Sequence, residues 1–242
     1  MALAVGRESG IRCVYQPIVA LSGGGIIGYE ALARVPGRDL AQVLRGMSRE
    51  DARAFDAGMA SRALWGARRL PPGSRLFVNL TAATLQAVLE GARWPRPPHR
   101  LPGDPALVWE IPESRAGTAL LLRQVAAGLL AGVEVALDDL GEGDSDLRRL
   151  ACCPGAWAKL GRRLVQDCDR DPARAAVIEA VVRVAGALGQ HVIAEGVERA
   201  GEGEALEALG VRYAQGFHFG APSRHLPGGE GESRWGPRST RR

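Results

Sequence analysis

Residues 13–32, CVYQPIVALSGGGIIGYEAL, contain two apolar runs joined by a glycine-rich connection. The runs at 13–19 and 25–32 are rich in Val, Ile, Leu and Tyr, which is typical of buried strands. The residues between them, Ala-Leu-Ser-Gly-Gly, form a connection of turn length. The two strands are therefore predicted to pair antiparallel, as a hairpin.

Six further apolar runs follow the hairpin, and helical patterns separate them. The runs are RLFVN (75–79), ALVWEI (106–111), VEVALDD (133–139), AWAKL (156–160), HVIAE (191–195) and YAQGF (213–217). Helices are predicted within residues 40–47, 51–69, 81–90, 117–132, 172–189 and 202–210. Alternating strands and helices predict a parallel sheet, and eight strands predict closure into a barrel. We therefore predict an α/β protein with a TIM-like (β/α)8 barrel and an antiparallel first strand.

The composition is that of a globular protein, with 46% hydrophobic and 24% charged residues. No apolar stretch approaches the roughly 18 residues needed to span a bilayer, and residues 1–10 do not resemble a secretion signal. These features predict a cytoplasmic protein without a membrane partner. The net charge is +4, but the arginine-rich end RWGPRSTRR (234–242) contributes much of it, and no nucleic-acid-binding motif is present. We expect no DNA partner.

The same patterns predict three segments along the chain. Residues 1–10 form an N-terminal lead, residues 11–223 form the barrel, and residues 224–242 form a flexible basic tail. The tail consists of Gly, Pro, Ser and charged residues without a periodic pattern, a composition that does not favour a packed structure.

Lysine and asparagine each occur once in the chain, as Lys159 and Asn79, although lysine and arginine together number 31. Both residues lie in short apolar runs that are predicted strands. Lysine carries a compact ammonium with three donors, whereas arginine carries a planar fork, so the two are not interchangeable at a reacting centre. We infer that the chain keeps these two residues for their chemistry.

Polar side chains lie inside, or at the carboxyl ends of, the predicted strands. They are Glu30, Asn79, Glu110, Asp138, Asp139, Lys159, Glu195 and Gln215. The carboxyl ends of barrel strands carry the catalytic residues of this fold, so we expect one site there. The four cysteines and four histidines show no spacing typical of a zinc site. Carboxylates and an amide oxygen instead suit Mg²⁺ or Mn²⁺.

The adjacent pair Asp138-Asp139 is the most informative part of this set. Successive strand residues point to opposite faces, but at the end of a strand, where the backbone turns, both carboxylates can face one site. Two divalent ions roughly 3.5–4 Å apart activate water and stabilise displacement at phosphorus. A lysine beside the attacking oxygen offsets the developing negative charge. The constellation therefore predicts phosphodiester hydrolysis with two Mg²⁺ or Mn²⁺ ions.

Eight short runs occur in a fixed order along the chain. They are YQPIV (15–19), YEALAR (29–34), FVNL (77–80), WEIPES (109–114), ALDDLGEG (136–143), AKLGR (158–162), IAEGVE (193–198) and QGFHFGAP (215–222). Together they resemble the successive signatures of the EAL-domain phosphodiesterases, which linearise the bacterial messenger cyclic di-GMP. The resemblance covers roughly residues 11–223. It implies an EAL-type modified barrel, cyclic di-GMP as substrate, the linear dinucleotide pGpG as product, and a homodimer, since family members often dimerise.

The resemblance also implies roles for single positions. Metal ligands are implied at Glu30, Asn79, Glu110, Asp138 and Asp139, with the two aspartates reaching toward the second ion. Catalytic-site residues are implied at Glu30, Lys159, Glu195 and Gln215, with Lys159 near the attacking water. Substrate contacts are implied at Gln16 and Arg34. Glu113 matches the acid that holds the loop after the aspartate pair.

Two alternatives remain open, and departures from the family pattern motivate the first of them. The family has an aspartate two residues after the lysine, where this chain has Gly161, and the loop carries Leu140, Glu142 and Asp144 in place of Phe, Thr and Tyr. One alternative is a catalytically degenerate EAL-like module that binds cyclic di-GMP or a protein partner. The other is a barrel enzyme in which acids hold one Mg²⁺ and a lysine abstracts a proton from carbon, as in the enolase superfamily. The family signatures and the phosphate-friendly Arg34 argue against this second alternative.

Overall fold

The computed structural model describes residues 11–68, 70, 73–90, 103–112, 134–141, 147–224 and 226. The strands within these ranges are β1 Arg12–Ala20, β2 Ile26–Arg34, β3 Arg75–Asn79, β4 Ala106–Ile111, β5 Glu134–Leu140, β6 Trp157–Leu160, β7 His191–Ala194 and β8 Tyr213–Ala214. They pair in chain order and close into a barrel. Strand β1 is antiparallel to both β2 and β8, whereas the other neighbours are parallel. The predicted barrel with an antiparallel first strand is confirmed.

The hairpin formed by β1 and β2 depends on the glycines of its connection. Gly23 and Gly24 have φ values of 88° and 68°, a region that residues with a side chain rarely adopt. The Ala20 amide donates to the carbonyl oxygen of Gly25 at 2.8 Å and closes the connection. The chain can therefore reverse in a few residues, as predicted, with Ala20 as the last residue of β1.

The described helices are α1 Leu40–Arg45, α2 Arg49–Ala67, α3 Ala82–Leu89, α4 Arg148–Cys152, α5 Arg162–Val165, α6 Pro172–Ala187 and α7 Ala200–Ala208. Five of the predicted helices correspond to α1, α2, α3, α6 and α7, and the one predicted within 117–132 lies outside the described ranges. Helices α4 and α5 were not predicted, because four or five residues are too short to show a helical period. Across the part of the chain that is described, no helix is long and apolar enough to cross a bilayer.

The barrel interior has an apolar layer beneath a polar one. The apolar layer contains Ile18, Phe77, Val108, Ala136, Trp157 and Ile193. Because strand side chains alternate between two faces, the residues two positions further along the parallel strands face the same interior. Those residues are Asn79, Glu110, Asp138, Lys159 and Glu195. In β1, which runs the other way, the corresponding residue is Gln16, two positions before Ile18. The strand period itself therefore brings the polar groups to one mouth of the barrel.

A larger apolar core lies between the outer face of the barrel and the surrounding helices. It includes Tyr29, Leu76, Trp109 and Leu137 from the strands and Leu64 from α2. Trp109, the residue before Glu110, is 1% exposed and is a packing residue. Strands that are buried on both faces in this way are held firmly, so the polar mouth rests on a rigid frame.

Candidate active site

Lys159 lies at the centre of the polar mouth. Its side chain is 1% exposed, and its Nζ lies 2.8 Å from Glu195 Oε1, 3.1 Å from Asp138 Oδ1 and 3.8 Å from Glu30 Oε2. Its closest partner is Glu110 Oε1. The only lysine of the chain is thus a buried counter-ion shared by four carboxylates from four different strands or strand ends.

A local irregularity in β5 turns Asp138 and Asp139 toward the same site. The pairing of β5 with β6 shifts register between Leu137 and Leu140, and Asp139 has a φ of 57°, which is uncommon for a residue other than glycine. The carboxylate oxygens of Asp138, Asp139 and Glu195 can lie within 4.8 Å of one another. This bulge overrides strand alternation and produces a three-carboxylate group.

Side-chain amides hold Glu30 in place. Asn79 Nδ2 donates to Glu30 Oε1 at 3.0 Å, and Gln215 Nε2 donates to Glu30 Oε2. The same Gln215 nitrogen donates to Gln16 Oε1 at 3.0 Å, and Gln16 Nε2 donates to the carbonyl oxygen of Gly220 at 3.1 Å. Both oxygens of Glu30 are therefore oriented, and both polar atoms of the Gln16 side chain are engaged within the protein.

Burial and mutual repulsion shift the ionisation of these acids. Burial raises the pKa of Glu110 well above the usual carboxyl range, and the charge of Glu30 adds to the rise. Burial also raises the pKa of Glu195 to about 8, although Lys159 opposes the rise. For Glu30, burial is outweighed by the Lys159 charge and the amide donors, which lower its pKa. Burial alone would lower the pKa of Lys159, but the surrounding carboxylates, Asp138 first among them, raise it well above its usual value.

The donor set fits divalent cations. Both oxygens of Glu110 and Oδ1 of Asp138 are buried without a hydrogen bond of good geometry from any residue in the described ranges, although Lys159 lies near them. Five carboxylates face one ammonium, so the site needs further positive charge before all of them can ionise. Every candidate ligand is an oxygen atom, which suits Mg²⁺ or Mn²⁺.

The structure separates Arg34 from this group. Arg34 lies exposed at the end of β2, where its Nη1 donates to the carbonyl oxygen of Ala33 at 2.9 Å. It lines an adjoining, largely apolar cavity of about 670 Å³ that also touches Glu30 and Asn79. Glu113 and the departures at Glu142 and Asp144 lie outside the described residues.

Three residues that were not predicted border the same mouth. Arg162, Glu198 and Phe217 line a cavity of about 320 Å³ together with Lys159 and the carboxylates. Arg162 Nη2 pairs with Glu198 Oε1, and Phe217 is 63% exposed. Arg162 and Glu198 lie within the quoted runs, but their residue types are common in this chain and gave no separate signal.

A second acidic group does not line this cavity and is already neutralised. Asp167, Asp169 and Glu202 bring carboxylate oxygens close together. Arg199 Nη2 lies 2.8 Å from Asp167 Oδ1, 2.8 Å from Asp169 Oδ1 and 2.9 Å from Glu202 Oε1. The guanidinium takes the place that a cation would need, so this group is a structural ion-pair network.

Comparison with known proteins agrees with the geometry. The EAL domain family model matches residues 2–222. The cyclic di-GMP phosphodiesterase RocR of Pseudomonas aeruginosa is 32% identical over 231 residues, which cover 90% of this chain and 59% of that protein. The chain thus spans about three fifths of the length of this relative.

Solved structures show the same architecture. A standalone EAL protein from Vibrio cholerae, in its c-di-GMP bound form, has a TM-score of 0.71 at 26% identity, covering 90% of this chain and 94% of that one. A manganese and cyclic di-GMP complex of BlrP1 from Klebsiella pneumoniae has a TM-score of 0.72 at 28% identity, covering 90% of this chain and 57% of that one. This chain belongs to the EAL domain family.

Proposed function

We propose that the chain hydrolyses one phosphodiester bond of cyclic di-GMP and releases the linear dinucleotide pGpG. The observation that carries the proposal is the buried Lys159 among carboxylates with unbonded oxygens at one barrel mouth. Family membership supports the substrate, since relatives are named for this activity and neighbours were solved with this ligand. Two divalent cations would supply an activated water and stabilise the charge that develops on the phosphate.

The proposed metal ligands follow from the placement of their oxygens. Glu30, Asn79, Glu110 and Asp138 would hold one ion, and Asp138 with Asp139 would reach toward the second. Glu195 lies in the same carboxylate group as the two aspartates. Manganese or magnesium would serve, and a neighbouring structure was solved with manganese and cyclic di-GMP together.

The remaining roles concern the water and the substrate. Lys159 Nζ would hold the attacking water by a hydrogen bond, and Glu195, at 2.8 Å, would keep the ammonium charged and oriented. Gln215 would keep Glu30 oriented. Arg34 would meet a substrate phosphate from the adjoining cavity, and Gln16 would contact substrate only after giving up one of its present hydrogen bonds.

Hydrolysis is the direct test of the proposal. Purified protein, incubated with cyclic di-GMP and Mn²⁺ or Mg²⁺, is expected to release pGpG. Liquid chromatography would measure the release. The Glu30→Ala variant should be about 100–1,000-fold slower, the scale of losing one preorganised charge-stabilising group. Glu134→Ala is the matched control, because Glu134 lies at the opposite mouth with Arg75 and Trp157. Its rate should stay within about twofold of wild type. A folded, Mn²⁺-bound wild type without turnover would contradict the proposal.

Gly161 favours a second function, binding of cyclic di-GMP without turnover. This residue offers no carboxylate two positions after Lys159, and its φ of −63° and ψ of 152° are open to any residue. If the missing acid disables the site, wild type binds the nucleotide but does not cleave it, and Gly161→Asp gains at least about tenfold in turnover. If the leading proposal holds, wild type hydrolyses cyclic di-GMP, and Gly161→Asp changes the rate by less than about tenfold.

Several expectations stay predictions. A homodimer, a cytoplasmic location, the absence of a DNA partner, and domain limits at residues 11 and 223 rest on the sequence and the resemblance. We propose them with the function above, and light scattering of the purified protein would decide the homodimer.

A further inference from the structure

Arg149, on helix α4, is a buried arginine beside the proposed metal centre. Arg149 is 3% exposed, and a buried cation is unfavourable unless it is hydrogen-bonded. Arg149 Nη1 donates to the carbonyl oxygen of Asp138 at 2.9 Å, and Nη2 donates to that of Ile111 at 3.1 Å. One planar group thus joins the carboxyl ends of β4 and β5.

These two carbonyls lie next to proposed metal ligands. Ile111 follows Glu110, and the Asp138 carbonyl belongs to the peptide plane between Asp138 and Asp139. The pairing of β4 with β5 ends at Ile111 and Leu137, and the pairing of β5 with β6 is interrupted between Leu137 and Leu140. Asp138 and Asp139 therefore have no strand partner in register on either side. Arg149 provides the missing hydrogen bonds just where the orientation of the ligands is set.

The need for such a bond is greatest at Asp139. Its φ of 57° is an uncommon conformation for an aspartate, and such conformations persist only when the surroundings hold them. A hydrogen bond to the Asp138 carbonyl fixes the peptide plane that precedes this rotation. Because the same guanidinium also holds Ile111, it fixes the aspartate pair relative to Glu110.

The side-chain chemistry explains why arginine suits this position. Its guanidinium presents donors in a rigid fork that can bond two acceptors at once, whereas an ammonium is a point charge on a flexible stem. A lysine at the same position would keep the charge but would not hold both carbonyls in a fixed relation.

We propose that Arg149 is a positioning residue of the metal centre, which sets the relative placement of Glu110 and the Asp138–Asp139 pair through two backbone carbonyls. It acts without contact with the substrate. The inference rests on the proposed metal centre and extends it from the ligands to the residue that orients them.

Gln190, in the connection between α6 and β7, provides a matched control because it bonds to the same part of the chain. It is 6% exposed, and its Nε2 donates to the carbonyl oxygens of Leu150 at 3.0 Å and Cys153 at 2.8 Å. It therefore also holds two carbonyls, but these belong to α4 and to the residue after it, and neither carbonyl lies in a strand or next to a proposed metal ligand. If Arg149 had only a structural role, substitution of Arg149 and of Gln190 should have the same effect on stability and on Mn²⁺ affinity.

The test compares Mn²⁺ binding by wild type, Arg149→Met, Arg149→Lys and Gln190→Met. Electron paramagnetic resonance of free Mn²⁺ gives the affinity, and thermal unfolding in chelator gives the stability. Arg149→Met is expected to bind Mn²⁺ about 10–100-fold more weakly, as when an orienting partner of a ligand is lost. Arg149→Lys should fall between it and wild type. Gln190→Met should lose thermal stability but keep its Mn²⁺ affinity within about twofold.

Other outcomes would overturn the inference. It fails if Arg149→Met is destabilised like Gln190→Met but binds Mn²⁺ as tightly as wild type does. If Arg149→Met does not fold, the inference fails when Arg149→Lys binds Mn²⁺ as tightly as wild type does. A wild type that binds no Mn²⁺ overturns it together with the metal centre. Mn²⁺ binding without hydrolysis counts against the proposed function alone, because the affinities of the variants then still decide the role of Arg149.

Discussion

Lys159→Met is expected to lower the free energy of unfolding of the metal-free protein by about 3–5 kcal/mol, the loss typical when one partner of a buried ion pair is removed. Lys159 is the counter-ion of Glu30, Glu110, Asp138 and Glu195. Methionine has a similar volume but no charge, so the carboxylates would remain buried together without compensation. Urea unfolding at pH 8 in chelator would measure the loss, and hydrolysis of cyclic di-GMP should be abolished in the same variant.

The loss in Lys159→Met should depend on pH and on metal. Burial raises the folded-state pKa values of Glu195, to about 8, and of Glu110 above those of the unfolded chain. Ionisation of these two acids therefore destabilises the fold as the pH rises, and protonation relieves the repulsion as it falls. The difference from wild type should accordingly shrink at pH 5. Added Mn²⁺ should also restore stability, by binding the folded state, but not activity.

A charge at the opposite mouth serves as the control for this prediction. Arg75 pairs with Glu134 at 2.8 Å and is partly exposed, with 34% of its side chain accessible. Arg75→Met should therefore cost no more than about 1 kcal/mol, as exposed pairs do, and leave hydrolysis intact. A metal-free Lys159→Met as stable as wild type would show that Lys159 is not the counter-ion of this cluster.

Glu110→Gln is expected to have the opposite effect on stability and the same effect on activity. Glu110 is buried, and neither of its oxygens has a well-formed hydrogen bond from the described residues. Its folded-state pKa lies above that of the unfolded chain, so ionisation at neutral pH destabilises the fold. Glutamine cannot ionise, so it removes the cost of burying this charge, while Asp138 and Glu195 still neutralise Lys159. The relief should add about 1 kcal/mol. That gain corresponds to about 2–4 °C in the Tm of a domain of this size.

Calorimetry with and without Mn²⁺ would check both parts. The Tm of wild type should rise with Mn²⁺, because the ion binds only the folded state, whereas the Tm of Glu110→Gln should respond far less. Hydrolysis by Glu110→Gln should fall about 100–1,000-fold. Glu134→Gln is the control with the opposite sign. Glu134 Oε2 accepts from Arg75 Nε and Trp157 Nε1, each at 2.8 Å, so its removal should lower stability slightly. If metal-free Glu110→Gln is less stable than metal-free wild type, burial of the Glu110 charge does not destabilise the fold, and the prediction is refuted.

Much of the site could be predicted because its residues are unusual in this chain. Lys159 and Asn79 stand out as the single lysine and asparagine, and the carboxylates follow apolar runs that form strands. Strand alternation then brings them to one mouth, as the interior layers show. In such cases composition and a period of two residues carry most of the information.

Other features depend on tertiary structure and left no local signal. Arg149 is one arginine in an arginine-rich chain, and only the packing of a five-residue helix buries it. The left-handed backbone at Asp139 is tolerated by aspartate but not demanded by it. Strands β7 and β8 end earlier than predicted, so Glu195 and Gln215 follow the strands. Arg34 belongs to a matching motif, yet the structure places it at a neighbouring cavity.

The reversed direction of β1 determines at which mouth of the barrel an attached domain could regulate this one. Arg12, at the start of β1, pairs with Arg34 at the far end of β2, so the polypeptide enters the barrel on the side of the carboxylates. In a barrel whose strands all run the same way, the first strand would start at the opposite side. Any sensory module joined ahead of Ile11 would thus be attached next to the mouth that holds the carboxylates, where its movement could reach them without passing through the body of the fold.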